Sequence, residues 1–202
     1  MKGVLFDFDG TLTRPGLIDF MAIKRAIGCP PEMAILEYIR LKPNKERSSL
    51  TEILEVHEAK AARLAVPNEG AKACLSTLRK KRIPTGIITR NSLKSVVSAL
   101  RQFEGITCGD FHAIITREGI SPKPSPEGVF KAAESMGCLA EELMVVGDFR
   151  FDVIAGKRAG AMTILLTNGE RSTMLPEDPM PDYMCRHLGE VVEIVLDTIT
   201  SP

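Results

Sequence analysis

The chain has 202 residues, of which 26 are Lys or Arg and 26 are Asp or Glu, so its formal net charge at pH 7 is zero. This length can bury one full hydrophobic core, with or without a small accessory domain. The balanced charge argues against binding of nucleic acid or of an anionic membrane through overall charge. The five cysteines are scattered without C-x-x-C spacing, which argues against a zinc site or a disulfide framework.

The expected setting is the cytoplasm. The longest apolar runs have the length of strands, whereas a membrane span needs about 20 apolar residues. A strand begins almost at the N-terminus, which argues against a signal peptide. An odd number of scattered thiols fits a reducing compartment. We therefore expect a cytoplasmic monomer or weak homodimer without nucleic-acid or membrane partners.

The first predicted element is an apolar strand that runs into the sequence Asp7-Phe8-Asp9-Gly10-Thr11. Residues two apart in a strand lie on the same side, so Asp7 and Asp9 should leave the strand end together, with Phe8 turned into packing. Two neighbouring carboxylates repel each other unless a cation, a proton or hydrogen bonds compensate. Such a pair is costly for structure alone and indicates a chemical site.

Residues 15–68 carry helical patterns with no strand between them. The predicted helices cover residues 18–27, 31–41 and 49–64. The third has one apolar stripe at helical spacing, formed by Leu50, Ile53, Leu54, His57, Ala61 and Leu64. We predict a small helical cap domain over residues 15–68, inserted after the first strand, with Pro15-Gly16 and Pro67-Asn68 as hinges.

From Lys72 onward, short apolar strands alternate with helices. The strands are predicted over residues 85–89, 112–115, 143–146 and 162–166, and the helices over residues 92–103, 125–136, 151–159 and 187–198. Ser125 is the expected N-cap of its helix, followed by proline at the first helical position. Continuous apolar strands with helices between them predict an α/β fold, a Rossmann-like parallel sheet covered on both faces. This core would comprise residues 1–14 and 69–202.

Ligand sites in an open parallel sheet form beyond the carboxyl ends of the strands. The polar residues at four such ends are Asp7 with Asp9, Thr89 with Arg90 and Asn91, Lys123 after a loop, and Asp148 with Asp152. The aspartates offer hard oxygen ligands that suit Mg²⁺. A threonine hydroxyl and a lysine ammonium suit phosphoryl oxygens, and backbone amides around Gly10 and Asn91 can add donors.

These motifs, in this order, resemble those of the haloacid dehalogenase superfamily, specifically its phosphoglycolate-phosphatase-like branch with a small helical cap. The matching residues are Asp7-Phe8-Asp9-Gly10-Thr11, Thr89, Lys123-Pro124 and Gly147-Asp148-Phe149-Arg150-Phe151-Asp152. The resemblance extends over nearly the whole chain, including the cap. It implies a Mg²⁺-dependent phosphatase that acts on a small phosphorylated metabolite.

The resemblance also implies roles for individual residues. Asp7 would be the nucleophile that forms an aspartyl-phosphate, and Asp9 would protonate the leaving alcohol and then deprotonate the attacking water. Mg²⁺ would be held by Asp7, the Asp9 carbonyl and Asp148, with support from Asp152. The phosphate-binding residues would be Gly10, Thr89, Arg90, Asn91 and Lys123.

Two further classes of function stay open. A phosphosugar mutase of the β-phosphoglucomutase type is similar in all four motifs, and a non-catalytic regulatory module could use the same fold. The first motif continues as Thr13-Arg14-Pro15, where many phosphoglycolate-type phosphatases have an acidic residue and a serine. This departure argues against a glycolate substrate, and Arg14 or Arg90 could instead meet an anionic substrate tail.

Overall fold

A six-stranded parallel sheet forms the centre of the part of the chain that the structure describes. The structure is a computed structural model that describes residues 1–200. The strands are Gly3–Phe6 (β1), Thr85–Ile88 (β2), Ala113–Ile115 (β3), Leu143–Gly147 (β4), Met162–Leu166 (β5) and Tyr183–Cys185 (β6). Their order is β3-β2-β1-β4-β5-β6, with every neighbouring pair parallel. The predicted α/β fold with a Rossmann-like sheet is confirmed.

The α-helices of residues 1–200 cover both faces of this sheet and fill the segment after β1. They are Phe20–Ile27 (α1), Ile35–Arg40 (α2), Asn44–Arg63 (α3), Ala71–Lys80 (α4), Leu93–Leu100 (α5), Glu127–Ser135 (α6), Arg150–Arg158 (α7) and Leu188–Thr200 (α8). No helix within the described range combines the length and the apolarity that a membrane crossing requires.

The side chains of β1 show how the two layers are built. Val4 and Phe6 belong to a buried cluster that includes residues of α4, α5 and α8. Leu5, between them, belongs to the cluster on the opposite face, with residues of α6 and α7. This alternation is the two-residue period of a strand, and it explains why the strands of this sheet are apolar on both faces.

Several details differ from the sequence-based expectations. Helix α2 begins at Ile35 and not at residue 31, and α3 begins at Asn44 and not at residue 49. Strand β6 was not predicted, because it has only three residues and two of them are exposed. Helix α6 takes Pro126 as its N-cap residue, so the expected N-cap Ser125 is wrong by one position, although its Oγ accepts a hydrogen bond from the Glu127 amide at 3.3 Å. Helix α5 ends at Leu100, earlier than predicted, and is capped by Ser92 as its pattern suggests.

Helices α1, α2 and α3 lie between β1 and α4 in the chain and pack around a cluster of their own, which includes Ile23, Ile39 and Leu54. The chain leaves and re-enters the sheet region at one place, because Thr13 and Pro67 form an antiparallel bridge. Leu64, which the predicted apolar stripe includes, is exposed, whereas Glu58, which it does not include, is buried. The predicted buried side of α3 is therefore wrong near its C-terminal end. The division into a core and a cap of residues 15–68 stays a prediction.

Candidate active site

The carboxyl ends of β1 and β4 bring three carboxylates together. The two strands are neighbours at the point where the strand order changes direction, which is where open α/β sheets bind ligands. Asp7 directly follows β1, and its amide donates to the Val146 carbonyl at 2.8 Å, which extends the ladder to β4. Carboxylate oxygens of Asp7, Asp148 and Asp152 all lie within 4.8 Å of one another.

Lys123 is the buried cation of this cluster. Its Nζ donates to Asp7 Oδ1 at 2.5 Å, to Asp152 Oδ1 at 2.5 Å and to the Ile88 carbonyl at 2.8 Å. These bonds use all three hydrogens of the ammonium group. Burial alone would lower the pKa of Lys123, but the facing carboxylates outweigh it and the pKa is raised. The lysine therefore carries its charge at the site.

One lysine does not balance three carboxylates. Burial, together with the charges of Asp7 and Asp152, raises the pKa of Asp148 to about 8. Burial also raises the pKa of Asp152 to about 6, although Lys123 lowers it. The cluster thus lacks positive charge, and its donors are the hard oxygens that Mg²⁺ prefers. The residues present fit a magnesium ion. The assignment of Asp7, Asp148 and Asp152 as its ligands stays a prediction.

Asp9 lies in a different environment from Asp7. Residues 8–12 form a tight turn, and Asp9 Oδ2 accepts a hydrogen bond from Asn91 Nδ2 at 2.5 Å. That Asp7 and Asp9 leave the strand end together stays a prediction. Burial, then the charges of Asp7 and Glu58, raise the pKa of Asp9 to about 8. Phe8 is buried and packs against Phe103, as expected. The carboxylate of Asp9 is thus outside the three-carboxylate cluster.

Glycine at position 10 is required by geometry. Its φ is +78°, and a Cβ built there would lie 2.1 Å from Asp148 Oδ2. Only glycine tolerates both the left-handed backbone and this close approach. The turn therefore brings backbone directly against the carboxylate cluster. Phosphate binding by Gly10 stays a prediction.

Thr89 and Asn91 follow the end of β2. Thr89 is buried, and its Oγ1 accepts a hydrogen bond from the Asn91 amide at 3.1 Å. Because the hydroxyl acts as an acceptor in this bond, its hydrogen can point to a ligand. The contacts of Thr89 and Asn91 with a phosphoryl group stay predictions.

Arg90 has partners within the protein. Its guanidinium binds both carboxylate oxygens of Glu37 on α2 and the backbone carbonyl of Lys123. It also lies over the ring of Phe151, 5.0 Å from the ring centre. The expected contact of Arg90 with phosphate stays a prediction, and the structure gives this side chain a connection to the helical segment instead.

Several supporting residues escaped the sequence analysis. Asn68 Nδ2 donates to the Thr11 carbonyl at 3.0 Å and to Asn168 Oδ1 at 2.9 Å, and Asn168 Nδ2 donates to the Gly10 carbonyl at 2.8 Å. The two asparagines thereby hold the turn that contains Asp9. A signal existed for Asn168, since Asn168-Gly169 is a turn dipeptide directly after β5.

Glu58 is a further supporting residue that the sequence did not lead us to predict. Its carboxylate is 3% exposed, pairs with Arg117 and accepts hydrogen bonds from the hydroxyls of Ser92 and Ser95 at 3.1 and 3.2 Å. The signal was its spacing, because Glu58 lies four residues after Leu54 and therefore on the buried side of α3. This contact fastens α3 to the start of α5.

Two cavities border Asp9. The larger, of about 60 Å³, is lined by Asp9, Asp148 and Arg14 together with apolar residues that include Phe20. The smaller, of about 10 Å³, is lined by Asp9, Glu58 and Asn91 among mostly apolar residues. The larger has room for about four or five water molecules and the smaller for about one. A leaving group beside Asp9 would therefore extend towards Arg14.

Comparison with known proteins places these features in a family. A family model described as haloacid dehalogenase-like hydrolase matches residues 14–166. A Saccharomyces cerevisiae protein named as an uncharacterized hydrolase is 32% identical over 198 residues, which cover 96% of this chain and 91% of the relative. Pyrophosphatase PpaX of Halalkalibacterium halodurans is 26% identical over 207 residues, 95% of each chain. The crystal structure of a hydrolase from Pseudomonas syringae superimposes with a TM-score of 0.76 at 22% identity, over 100% of both chains.

Proposed function

The chain belongs to the haloacid dehalogenase-like hydrolases, and we propose that it is a Mg²⁺-dependent phosphatase that hydrolyses a small phosphorylated metabolite through an aspartyl-phosphate. The observation that carries this proposal is that Asp7 and Asp9 have different partners. Asp7 is paired with the ammonium of Lys123, whereas the carboxyl group of Asp9 faces Asn91. One acid is thus placed as an ionised nucleophile and the other as a proton donor.

In the first step, a carboxylate oxygen of Asp7 forms a bond to phosphorus while the bond from phosphorus to the leaving oxygen breaks. The leaving oxygen takes the proton of Asp9, whose pKa of about 8 keeps it protonated at neutral pH. Lys123 and the Thr89 hydroxyl would stabilise the charge on the phosphoryl oxygens. The first product is the free alcohol or acid of the substrate.

In the second step, water replaces Asp7 on phosphorus. Asp9, now ionised, takes a proton from the attacking water, and inorganic phosphate leaves as the Asp7 carboxylate is restored. Asp9 thus returns to its protonated state, so one turnover consumes one water molecule and no other reactant. Asn91 would hold the Asp9 carboxyl in place during both proton transfers.

Asp7, Asp148 and Asp152 are the residues that would hold Mg²⁺, with the Asp9 backbone carbonyl as the further ligand expected from the sequence. When bound, magnesium would supply positive charge that offsets the charge of the phosphoryl group. Lys123 contacts two of these ligands, so it would orient them while the ion is absent. With substrate bound, one of its three hydrogens would turn from its present partner to a phosphoryl oxygen.

The cavity beside Asp9 favours a small leaving group. Its volume of about 60 Å³ is closed on one side by residues of the helical segment, which we propose to be a cap over the site. Arg14 at its border would suit an anionic leaving group. One relative of similar length is named as a pyrophosphatase, and the leaving group of pyrophosphate is small and anionic. We propose the same class of substrate for this chain.

We further propose that the protein works in the cytoplasm as a monomer or weak homodimer, without nucleic-acid or membrane partners. Its zero formal net charge supports this proposal, because neither polyanion would be attracted by overall charge. All five cysteines are free thiols, which fits a reducing compartment.

A screen of phosphorylated compounds for release of inorganic phosphate tests the proposed function. We expect release in Mg²⁺ from small compounds with anionic leaving groups, none in excess EDTA, and none from the Asp7→Asn variant. Appreciable Mg²⁺-dependent turnover by Asp7→Asn would contradict the nucleophile, and activity that survives EDTA would contradict the metal. Transfer of phosphate to a second sugar hydroxyl in place of release would support the mutase.

A further inference from the structure

Arg90 lies at the junction between the helical segment 15–68 and the edge of the sheet. It follows Thr89 after β2, and its guanidinium reaches Glu37 of α2. Nη1 donates to Oε1 at 3.0 Å and Nη2 donates to Oε2 at 2.6 Å. This parallel two-bond geometry fixes both the distance and the angle between the partners. The pair therefore forms only when α2 is docked on the sheet edge.

The same guanidinium also holds the loop that carries Lys123. Its Nη1 donates a hydrogen bond to the Lys123 carbonyl, and the guanidinium lies over the Phe151 ring at the start of α7. Lys123 contacts Asp7 through Nζ at 2.5 Å. A short path of contacts therefore runs from α2 through Arg90 and Lys123 to the Asp7 carboxylate.

The Glu37–Arg90 pair differs from the buried ion pair that Glu58 forms between these regions. The side chains of Glu37 and Arg90 are 39% and 21% exposed, so water screens the pair and it can break and re-form readily. Glu58 is buried, pairs with Arg117 and accepts two serine hydroxyls as well. Glu58 is therefore the fixed anchor of the helical segment, and Glu37 is its releasable contact.

We propose that Arg90 is a positioning residue that couples the docking of residues 15–68 to the placement of Lys123. With Glu37 in place, Arg90 holds the Lys123 carbonyl and keeps the ammonium group on Asp7. When the helical segment moves away, Arg90 loses the carboxylate and the Lys123 loop loosens. This inference rests on the proposed function, in which Lys123 stabilises the phosphoryl group, and it gives Arg90 a role other than the phosphate contact expected from the sequence.

Hydrogen–deuterium exchange on the intact chain tests this coupling without any need for activity. In Glu37→Gln, the amides of the non-proline residues within 120–125 should exchange about two- to fivefold faster than in the wild type, the range set by loss of a partly exposed ion pair. Glu32→Gln removes an exposed glutamate just before α2 and should leave these amides unchanged. Unchanged exchange over residues 120–125 in Glu37→Gln would overturn the proposal.

Steady-state kinetics give the second readout. Glu37→Gln and Arg90→Gln should each lower kcat/KM by about two- to fivefold, mainly through kcat, because Lys123 acts on the reacting group. The double variant should lose no more than Arg90→Gln alone, since the two residues act as one unit. Additive losses would overturn the proposal, as would a large loss in Arg90→Gln with none in Glu37→Gln, which would place Arg90 on the phosphate.

The experiments distinguish a failure of the proposed phosphatase function from a failure of the proposed coupling through Arg90. If the wild-type chain releases phosphate from no compound, the proposed function fails, and the exchange experiment still decides whether Glu37 controls the Lys123 loop. If phosphate is released but exchange over residues 120–125 does not respond to Glu37→Gln, the phosphatase stands and the coupling through Arg90 is overturned.

Discussion

Asn91 donates a hydrogen bond through Nδ2 to the carboxylate of Asp9 over 2.5 Å. The bond joins the loop after β2 to the turn after β1, and it acts on the group to which we assign both proton transfers. Burial is the larger influence on Asp9 and raises its pKa to about 8, whereas the hydrogen bond from Asn91 lowers that pKa. The amide therefore keeps the pKa of Asp9 from rising further above neutrality.

Asn91→Ala should shift the alkaline limb of the kcat profile to higher pH. Asp9 must be protonated to donate to the leaving group, so kcat falls as pH rises through its pKa. Loss of a hydrogen bond that favours the ionised form raises this pKa. The measurement is kcat against pH at saturating substrate. A limb that stays in place, or moves to lower pH, would contradict the role of Asn91.

Lys123→Met should destabilise the fold increasingly as pH rises. The variant leaves Asp7 and Asp152 buried without their cation, which costs about 3 kcal/mol in a buried pair. The pKa of Asp152, about 6 with the lysine present, rises further without it. Because this folded-state pKa lies above the unfolded value of about 4, stability is lost as pH rises between the two values.

Urea denaturation of Lys123→Met and of the wild type between about pH 5 and pH 8 measures how the loss of stability depends on pH. The difference in unfolding free energy should grow with pH, and excess Mg²⁺ should recover part of it by replacing the missing positive charge. A constant difference across this range would show that the buried carboxylates are not the cause.

The sequence could predict the convergence of Asp7, Lys123, Asp148 and Asp152, because parallel strands end at one edge of a sheet and each residue follows a strand or its loop. The family resemblance stated on these motifs is confirmed. The end of each strand can be predicted from the local pattern of apolar residues, and the parallel topology brings these ends together at one edge of the sheet. This part of the candidate site therefore needed no side-chain detail.

The partners of Arg90 and Glu58 could not be predicted in this way. Each pairs across the contact between the helical segment and the sheet, and no local pattern fixes how the two regions dock. The hydrogen-bond partner of Asp9 could not be predicted for a related reason. The strand ends at Phe6, so the two-residue period does not continue through Asp9. Side-chain direction depends on the turn, and the turn depends on Gly10.

Glu58→Gln should lower stability far more than the same change at Glu55, which lies on the same helix and also faces Arg117. Glu58 is 3% exposed and its loss leaves the Arg117 guanidinium buried without its main partner, at a cost of about 3 kcal/mol. Glu55 is 50% exposed and lies 3.8 Å from Arg117, so Glu55→Gln should cost less than about 1 kcal/mol. Chemical denaturation of both variants measures the difference, and equal losses would contradict the anchor assigned to Glu58.

Gly10→Ala should weaken magnesium binding, and Gly16→Ala provides its matched control. The two glycines have φ values of +78° and +82°, so alanine at either position adds similar backbone strain, about 1 kcal/mol. A Cβ at Gly16 has no heavy atom within 4 Å, whereas a Cβ at Gly10 would lie 2.1 Å from Asp148 Oδ2. Gly10→Ala must therefore displace a proposed ligand as well.

Calorimetric titration with Mg²⁺ in the absence of substrate separates the two effects. Gly10→Ala should bind the ion about tenfold more weakly than the wild type, as expected when the support of a metal ligand is disturbed. Gly16→Ala should bind it as the wild type does, while both variants lose comparable stability from backbone strain. Equal magnesium affinity in all three proteins would place the ion away from Asp148, because displacement of that carboxylate would then have no effect on binding.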